Sequence, residues 1–323
     1  MSDMNAVRIH HRAGPEQLVF EAAPRPIPCA DDVLVEVHAA GVTPTELTWD
    51  SSFVSSDGRS RLPAIPSHEV SGVVAAVGED AAGLAVGDAV YGLTDFSRDG
   101  AAAEFQLVRS SELAPKPASL DHVHAAAIPL SGLTAWQALH DHGRLSAGQR
   151  VLVHGGAGGV GNFVVQLARI AGAEVIATAA AADRDFLRAI GADEILDYRT
   201  EPFDERVREI DLVVDTVGGS VLERSFAVTR RGGTIVSVAE QPDSRLAAAH
   251  EVRTAFFIVE PNRDQLIALA ELVDQGRLRA EVMEVFELAS ARDALETGLR
   301  DHVRGKLVLR VVRDEVAESR VAA

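Results

Sequence analysis

The chain has 323 residues, 47% hydrophobic and 24% charged, with a single cysteine, Cys29. Its 31 basic and 48 acidic side chains leave a net charge of −17, which disfavours nucleic acid and anionic membranes as partners, since both are polyanions. One thiol excludes an intrachain disulfide framework and a zinc lobe built from several cysteines.

The opening "MSDMNAVRIH" lacks the apolar core of a signal peptide, and no apolar run reaches the roughly 18 residues of a spanning helix. A soluble, cytoplasmic protein of two domains is expected. The first third reads as short strands broken by Gly and Pro: "DVLVEVHAAGV" (32–42), "HEVSGVVAAVG" (68–78), "GDAVYGL" (87–93) and "AAEFQLVRS" (102–110). Alternating apolar and polar positions point to half-buried strands of a compact antiparallel barrel.

Near residue 122 the rhythm changes. "HVHAAAIPLSGLTAWQALHDHG" is helical on either side of Pro129, and strands then alternate with helices. "RVLVHG", "AEVIAT", "EILDY", "DLVVDTVG" and "TIVSVAE" read as strands; "DRDFLRAIG" and "SVLERSFAVTRRGG" read as helices between them. That alternation predicts a parallel sheet covered on both faces. "TAFFIVE" (254–260) is a further strand and "NRDQLIALAELVDQG" a helix. The tail offers "EVMEVFEL", a helix from Ala291 to about Leu299, and "KLVLRVV", strands able to return to the first sheet.

The most specific signal is "VLVHGGAGGVGNFVVQLARIAG" (151–172). Gly156, Gly158 and Gly161 fill a GxGxxG pattern between a strand and an apolar-periodic helix, the context a dinucleotide-binding turn requires. Gly156 is expected at the tight turn, Gly158 where the backbone approaches the pyrophosphate, and Gly161 where helix packs on strand. Ala157, Gly159 and Val160 complete the loop, with the phosphates on the helix N-terminus. The second strand ends at Thr178 and four alanines, with no carboxylate for a ribose 2′-hydroxyl, and Arg184 follows as a partner for a 2′-phosphate. NADPH is therefore preferred over NADH, although Asp183 stands beside Arg184.

With these stretches in order, the chain resembles the zinc-independent quinone oxidoreductases of the medium-chain dehydrogenase/reductase superfamily. "GVTPTE", "PSHEVSGVVAAVG", "VGDAVYG", "AAIPLSGLTAWQAL", "GGAGGVG", "LRAIGADEILDYR", "DTVGG" and "VRGKLVLRV" carry the resemblance over nearly the whole length. It implies an α/β architecture: a GroES-like, mostly-β catalytic domain (1–122 and 262–323) around a Rossmann NADP-binding domain (123–261). It also implies an active site between the domains and a homodimer formed through the Rossmann sheet, with "FFIVE" as the pairing edge.

Zinc-dependent relatives hold a metal where this chain has Thr43, His68 and a position near Ser131. One imidazole is too few ligands for catalytic zinc, so no metal is expected, and His68–Glu69 read as structural, the imidazole satisfying a loop backbone. Without a Lewis acid, the feasible chemistry is hydride transfer from the cofactor to a quinone or an α,β-unsaturated carbonyl. The resemblance places Thr43, Glu46, Thr48 and Trp49 in the substrate pocket, where the family has Asn, Asp and often Tyr at the first three. Trp49 is adjacent and suits a flat substrate. By position, Thr134 falls near the nicotinamide, Tyr198 near the adenosine phosphate, and Thr216 and Val238 along the path between them.

The reading is an NADPH-dependent, metal-free reductase of quinones or enones, an enoyl reductase included. The alternative is an NADPH-binding protein with little turnover, in a sensing or crystallin-like role, because the pocket lacks the family's Asn and Tyr.

Overall fold

A computed structural model of the chain describes residues 2–55 and 57–312. Residues 313–323 of the expected second catalytic-domain segment lie outside the described residues. Strands β1 (Asp3–Ile9) and β2 (Leu18–Pro24) form an antiparallel pair. Next come β3 (Asp32–Val42), β4 (Glu69–Val77), β5 (Ala89–Leu93), β6 (Phe105–Arg109) and β7 (Leu113–Pro115). Two strands from the far end of the chain, β14 (Val282–Glu287) and β15 (Lys306–Arg310), complete their sheet in the order β14-β15-β3-β4-β5-β7, with β6 also on β3. β15 runs antiparallel to β3 and parallel to β14, so the tail returns to the first sheet as expected.

Between these strands lies a six-stranded parallel sheet. Its strands are β8 (Arg150–His154), β9 (Glu174–Ala179), β10 (Glu194–Asp197), β11 (Ile210–Asp215), β12 (Thr229–Ser237) and β13 (Arg253–Phe256), in the order β10-β9-β8-β11-β12-β13. Successive side chains of a strand point to opposite faces. Val151, Val153, Val175, Ala177, Leu212 and Val214 therefore pack into one core, while Leu152, Ile176 and Val213 pack into another. Burial on both faces explains why these strands read as continuous apolar runs.

The helices are α1 (His122–Ala126), α2 (Pro129–Trp136), α3 (Gly159–Ile170), α4 (Arg184–Ala189), α5 (Phe203–Arg206), α6 (Gly219–Ser225), α7 (Ser244–His250), α8 (Arg263–Asp274) and α9 (Ala291–Arg300). None is long and apolar enough to cross a membrane, among the described residues. α3 covers the first core through Phe163, Val164 and Leu167, and α6 covers the second through Leu222.

Two elements are shorter than the sequence suggests. The helix expected over "SVLERSFAVTRRGG" stops at Ser225, and β12 starts at Thr229, whose hydroxyl donates to the Ser225 carbonyl at 2.7 Å. The strand expected over 254–260 ends at Phe256. Beyond it the Gln137 side-chain amide takes both backbone groups of Glu260, accepting from its N–H at 3.1 Å and donating to its carbonyl at 2.8 Å, in place of a strand ladder.

β8 and β11 are neighbours whose connections leave in opposite directions, β9 and β10 to one side and β12 and β13 to the other. At such a reversal the carboxyl ends of the strands leave an open crevice, the usual seat of a ligand in this architecture.

Candidate active site

The glycine-rich turn leaves β8 at that crevice. Gly155, not Gly156, takes the left-handed backbone conformation (φ +71°), and a Cβ there would lie 2.5 Å from the Thr216 Oγ1. Only glycine fits. Gly156 instead packs: its Cβ position lies 2.9 Å from the Ala177 Cβ. Gly158 precedes the first helical residue with φ −70° and ψ 178°, and no side chain caps α3. Gly161 brings the helix onto the turn, with 2.1 Å between its Cβ position and the Gly155 carbonyl oxygen. The Asn162 amide donates to the carbonyls of Gly158 and Gly159 at 2.8 and 2.7 Å, fixing the first turn. The opening N–H groups of α3 have no partner within the helix and suit an anion.

Two cavities meet at this turn. One, of about 520 Å³, is lined by Gly155, Ala157, Gly158, Thr178, Tyr198 and Thr216, with Arg224 and His302 at its border. The other, of about 420 Å³, is lined by Thr43, Leu130, Ser131, Gly158, Gly159, Val160, Thr216 and Lys306. Gly158, Thr216 and Val303 belong to both, so the two cavities adjoin at the glycine turn, one reaching towards β10 and the other to the loop after β3. At the shared point Gly158 presents bare backbone: a Cβ there would meet only the Gly155 oxygen, at 3.4 Å.

At the β10 end, Tyr198 is exposed and borders the cavity. The Thr178 hydroxyl pairs with the His154 ring at 3.1 Å, and Thr216 donates to the His154 carbonyl at 2.8 Å. Arg184, expected to meet a 2′-phosphate, is engaged elsewhere in this structure. Its guanidinium donates to Glu201 at 2.9 Å and to the Ile195 carbonyl at 3.0 Å, and it does not line the cavity. Glu201 also accepts the Asp197 N–H, at 2.9 Å, which holds that carboxylate on the turn after β10. The cationic side chain on the cavity is Arg224, paired with Asp204 at 2.9 Å. Val238 closes β12 with an N–H to the Asp215 carbonyl and is not on either wall.

At the other end, Thr43 is the only one of the four expected pocket residues on the cavity wall. Glu46 is buried and accepts the Ser67 N–H with both oxygens, at 2.9 and 3.1 Å. Burial pushes its carboxyl up to about 7. The His68 Nε2 lies 3.3 Å from Glu46, so this ring meets a carboxyl rather than the loop backbone expected for it. Burial holds His68 down at about 3. Thr48 is exposed and donates to the Thr45 carbonyl. Trp49 and His68 both meet the Phe96 ring edge-on, at 5.4 and 5.2 Å. The Thr134 hydroxyl donates back to the Leu130 carbonyl at 2.6 Å, leaving Leu130 and Ser131 to line the cleft. Among the described residues, no group of three or more His, Cys, Asp or Glu is placed to hold a metal ion.

Lys306 was quoted in the sequence only as part of a motif, yet it stands on the cavity wall beside Thr43. Its signal was a lysine opening the strand "KLVLR" ahead of three buried apolar residues, Leu307, Val308 and Leu309.

Fold and cleft together define a two-domain oxidoreductase that uses a dinucleotide. The zinc-binding dehydrogenase family matches residues 190–309, and the alcohol dehydrogenase GroES-like domain matches residues 29–118. The chain is 33% identical to a probable mitochondrial zinc-binding oxidoreductase of Arthroderma benhamiae, over 91% of this chain and 93% of that one. It is 29% identical to the mitochondrial NAD(P)H oxidoreductase RTN4IP1 of Danio rerio (88% and 85%) and 32% identical to a 2-methylene-furan-3-one reductase of Solanum lycopersicum (86% and 71%). The solved quinone oxidoreductase of Coxiella burnetii superposes with a TM-score of 0.89 at 31% identity, covering 96% of this chain and all of that one. The chain belongs to the quinone oxidoreductase family of the medium-chain dehydrogenase/reductase superfamily. It is an NAD(P)H oxidoreductase of that superfamily, with GroES-like and Rossmann-type domains.

Proposed function

We propose that the chain is an NADPH-dependent, metal-free reductase of quinones or α,β-unsaturated carbonyls, acting in the cytoplasm as a homodimer. The observation that carries this reading is the pair of cavities that adjoin at the glycine turn, one of them bordered by Thr43. Gly155, Gly158, Thr178, Tyr198 and Thr216 would hold the dinucleotide, which supplies a hydride when bound. The end of β9 carries no acidic residue to claim a 2′-hydroxyl, which supports NADPH.

An electron-poor acceptor places the arriving negative charge on an oxygen, and a protein donor near that oxygen lowers the barrier. Thr43 offers such a hydroxyl on the cavity wall. Val42, Pro44, Leu130 and Leu307 on the cavity wall make an apolar surround that suits a flat, conjugated substrate. The names of the tomato and Coxiella relatives agree with enone and quinone acceptors respectively. For the dimer, β13 is an outermost strand of the parallel sheet, with Phe256 exposed at its end and Ile258 exposed just beyond it. An open edge carrying apolar side chains suits pairing with a second copy.

The test is NADPH consumption after exhaustive chelation, with a panel of quinones and enones and NADH in parallel. Turnover with NADPH on any acceptor bears the proposal out, and the acceptor ranking separates quinone from alkene reduction. Tight NADPH binding without turnover on the whole panel supports the binding-protein reading instead. Activity that returns only with stoichiometric zinc refutes the metal-free assignment.

A further inference from the structure

Lys306 is only 5% exposed, although it carries a charge. Its ammonium forms an ion pair with Glu69, itself 1% exposed, and donates to the Thr43 Oγ1 at 3.3 Å. The other Glu69 oxygen accepts the N–H of Leu130 at 3.0 Å, which ties the carboxylate to the first turn of α2. A buried ammonium is costly unless paired and hydrogen-bonded, and here both conditions are met by residues from three separate segments. Glu69, Lys306 and Thr43 form a chain that starts in the core and ends at a hydroxyl on the cavity wall.

The direction of these bonds matters. An ammonium only donates, so Thr43 accepts from Lys306 and its own proton stays available to donate to a group in the cavity that it borders. Hydrogen bonds in series polarise one another. A hydroxyl that accepts from a cation is a stronger donor than a free one.

We propose that Lys306, held by Glu69, is a positioning residue that orients and polarises the Thr43 hydroxyl as donor to the oxygen that takes up charge in the acceptor. Lys306 keeps its proton throughout, and water supplies the proton that completes the product. The proposal rests on the reductase reading for its catalytic consequence. It explains how a pocket without the family's Asn and Tyr still stabilises an oxyanion.

A different role for Lys306 would be to bind the cofactor phosphates, since its side chain passes 3.2 Å from the Cβ position of Gly159. Two measurements separate the roles. The first is binding of p-nitrophenolate, an oxyanion probe, to the NADP⁺-loaded protein by absorbance. Thr43→Val and Lys306→Met are each expected to weaken it about tenfold, the scale of one charge-assisted hydrogen bond, and Thr43→Ser to restore it. The double variant should lose no more than Thr43→Val alone, because the two act as one unit. The second is NADPH affinity by fluorescence titration, expected within about twofold of the parent in both variants.

Multiplicative losses of the probe in the double variant, or unchanged probe binding in Thr43→Val, overturn the proposal. A tenfold loss of NADPH affinity in Lys306→Met with normal probe binding assigns the lysine to the phosphates instead. If Lys306→Met fails to fold because it strands Glu69, the pair Glu69→Gln with Lys306→Met removes both charges, and Thr43→Val leaves the ion pair untouched. The probe needs no turnover, so an inactive protein tests this proposal separately from the reductase reading.

Discussion

His302, from the segment between α9 and β15, places its Nε2 2.6 Å from the Asp183 carboxylate on the Rossmann side of the cleft. Asp183 is almost fully buried beneath that ring, and His302 borders the cavity that would hold the adenosine end of the cofactor. The pair puts a carboxylate near the expected 2′-phosphate but covers it with an imidazole. Replacing Asp183 by Asn removes the negative charge and keeps a hydrogen-bonding side chain. The ratio of NADH to NADPH dissociation constants is expected to rise about fivefold, the effect of ~1 kcal/mol from one nearby charge. Fluorescence titration of both cofactors measures it; an unchanged ratio means that Asp183 does not sense the ribose. By contrast, Arg184→Ala should leave the ratio alone, since its guanidinium is committed to Glu201.

Gly158→Asp should abolish cofactor binding and preserve the fold. The new Cβ has room and the backbone is in an ordinary region, with φ −70°, but a carboxylate would project where the pyrophosphate must sit. Gly161→Ala is the contrasting case. Its Cβ would lie 2.1 Å from a backbone oxygen that cannot swing away, at a cost of about 1–3 kcal/mol of stability. Melting curves and NADPH titration on both variants distinguish the two effects. Undiminished NADPH affinity in Gly158→Asp would contradict the placement of the phosphates.

Glu46 and His68 oppose each other in their effect on stability as pH changes. The folded Glu46 carboxyl sits at about 7 against an ordinary 4.5, so between those values the native state holds a proton that the unfolded chain has lost. Its contribution to stability therefore falls as pH rises through that window. The folded His68 ring sits at about 3 against 6.5, so there the unfolded chain holds the extra proton and stability rises with pH. From pH 4.5 to 6.5 the two slopes cancel, each being about 1.4 kcal/mol per pH unit at most. Glu46→Gln removes one of them. The variant should lose stability on acidification from pH 6.5 to 4.5 more steeply than the parent, by about 1 kcal/mol per unit. Urea unfolding across pH 4.5 to 8 checks this, and parallel curves for the two proteins would refute it.

The β13 edge makes a separate prediction. Ile258 is 70% exposed just beyond the strand. Introducing charge there, as Ile258→Glu, is expected to shift a dimer toward monomer by about tenfold or more in dissociation constant, because an apolar contact becomes a buried unpaired carboxylate. Sedimentation velocity at several concentrations reads the change. Identical profiles for parent and variant would place any self-association elsewhere.

Local patterns in the sequence carried the parallel sheet, the glycine turn and the return of the tail to the first sheet. Each rests on a repeat of side-chain character along a few consecutive residues, as in "RVLVHG" running into "GAGGVG". The turn glycine was displaced by one: both Gly155 and Gly156 follow the strand, and only the backbone angles tell which one bends. The pairing of Arg184 was not legible because its acid, Glu201, lies 17 residues on, beyond β10. His302 with Asp183, and Lys306 with Glu69 and Thr43, are separated by 119 residues or more. No period or spacing links such partners; they meet only because the tail strand inserts beside β3. Glu46 was expected in the pocket and instead ties down the loop before β4, since its short helical turn faces inward.

β15 is an interior strand of its sheet, flanked by β14 and β3, yet in chain order it follows every strand of the parallel sheet. Until it arrives, Glu69 has no cation, Thr43 has no neighbouring ammonium, and the Ala157 carbonyl of the glycine turn lacks the Gly305 N–H that it accepts at 2.9 Å. A nascent chain that has made every residue of the parallel sheet therefore carries a carboxylate with no counter-charge. The same strand that joins β14 to β3 also carries Lys306 to Glu69 and Thr43, so a chain cut before Gly305 would lack both the strand and that ammonium.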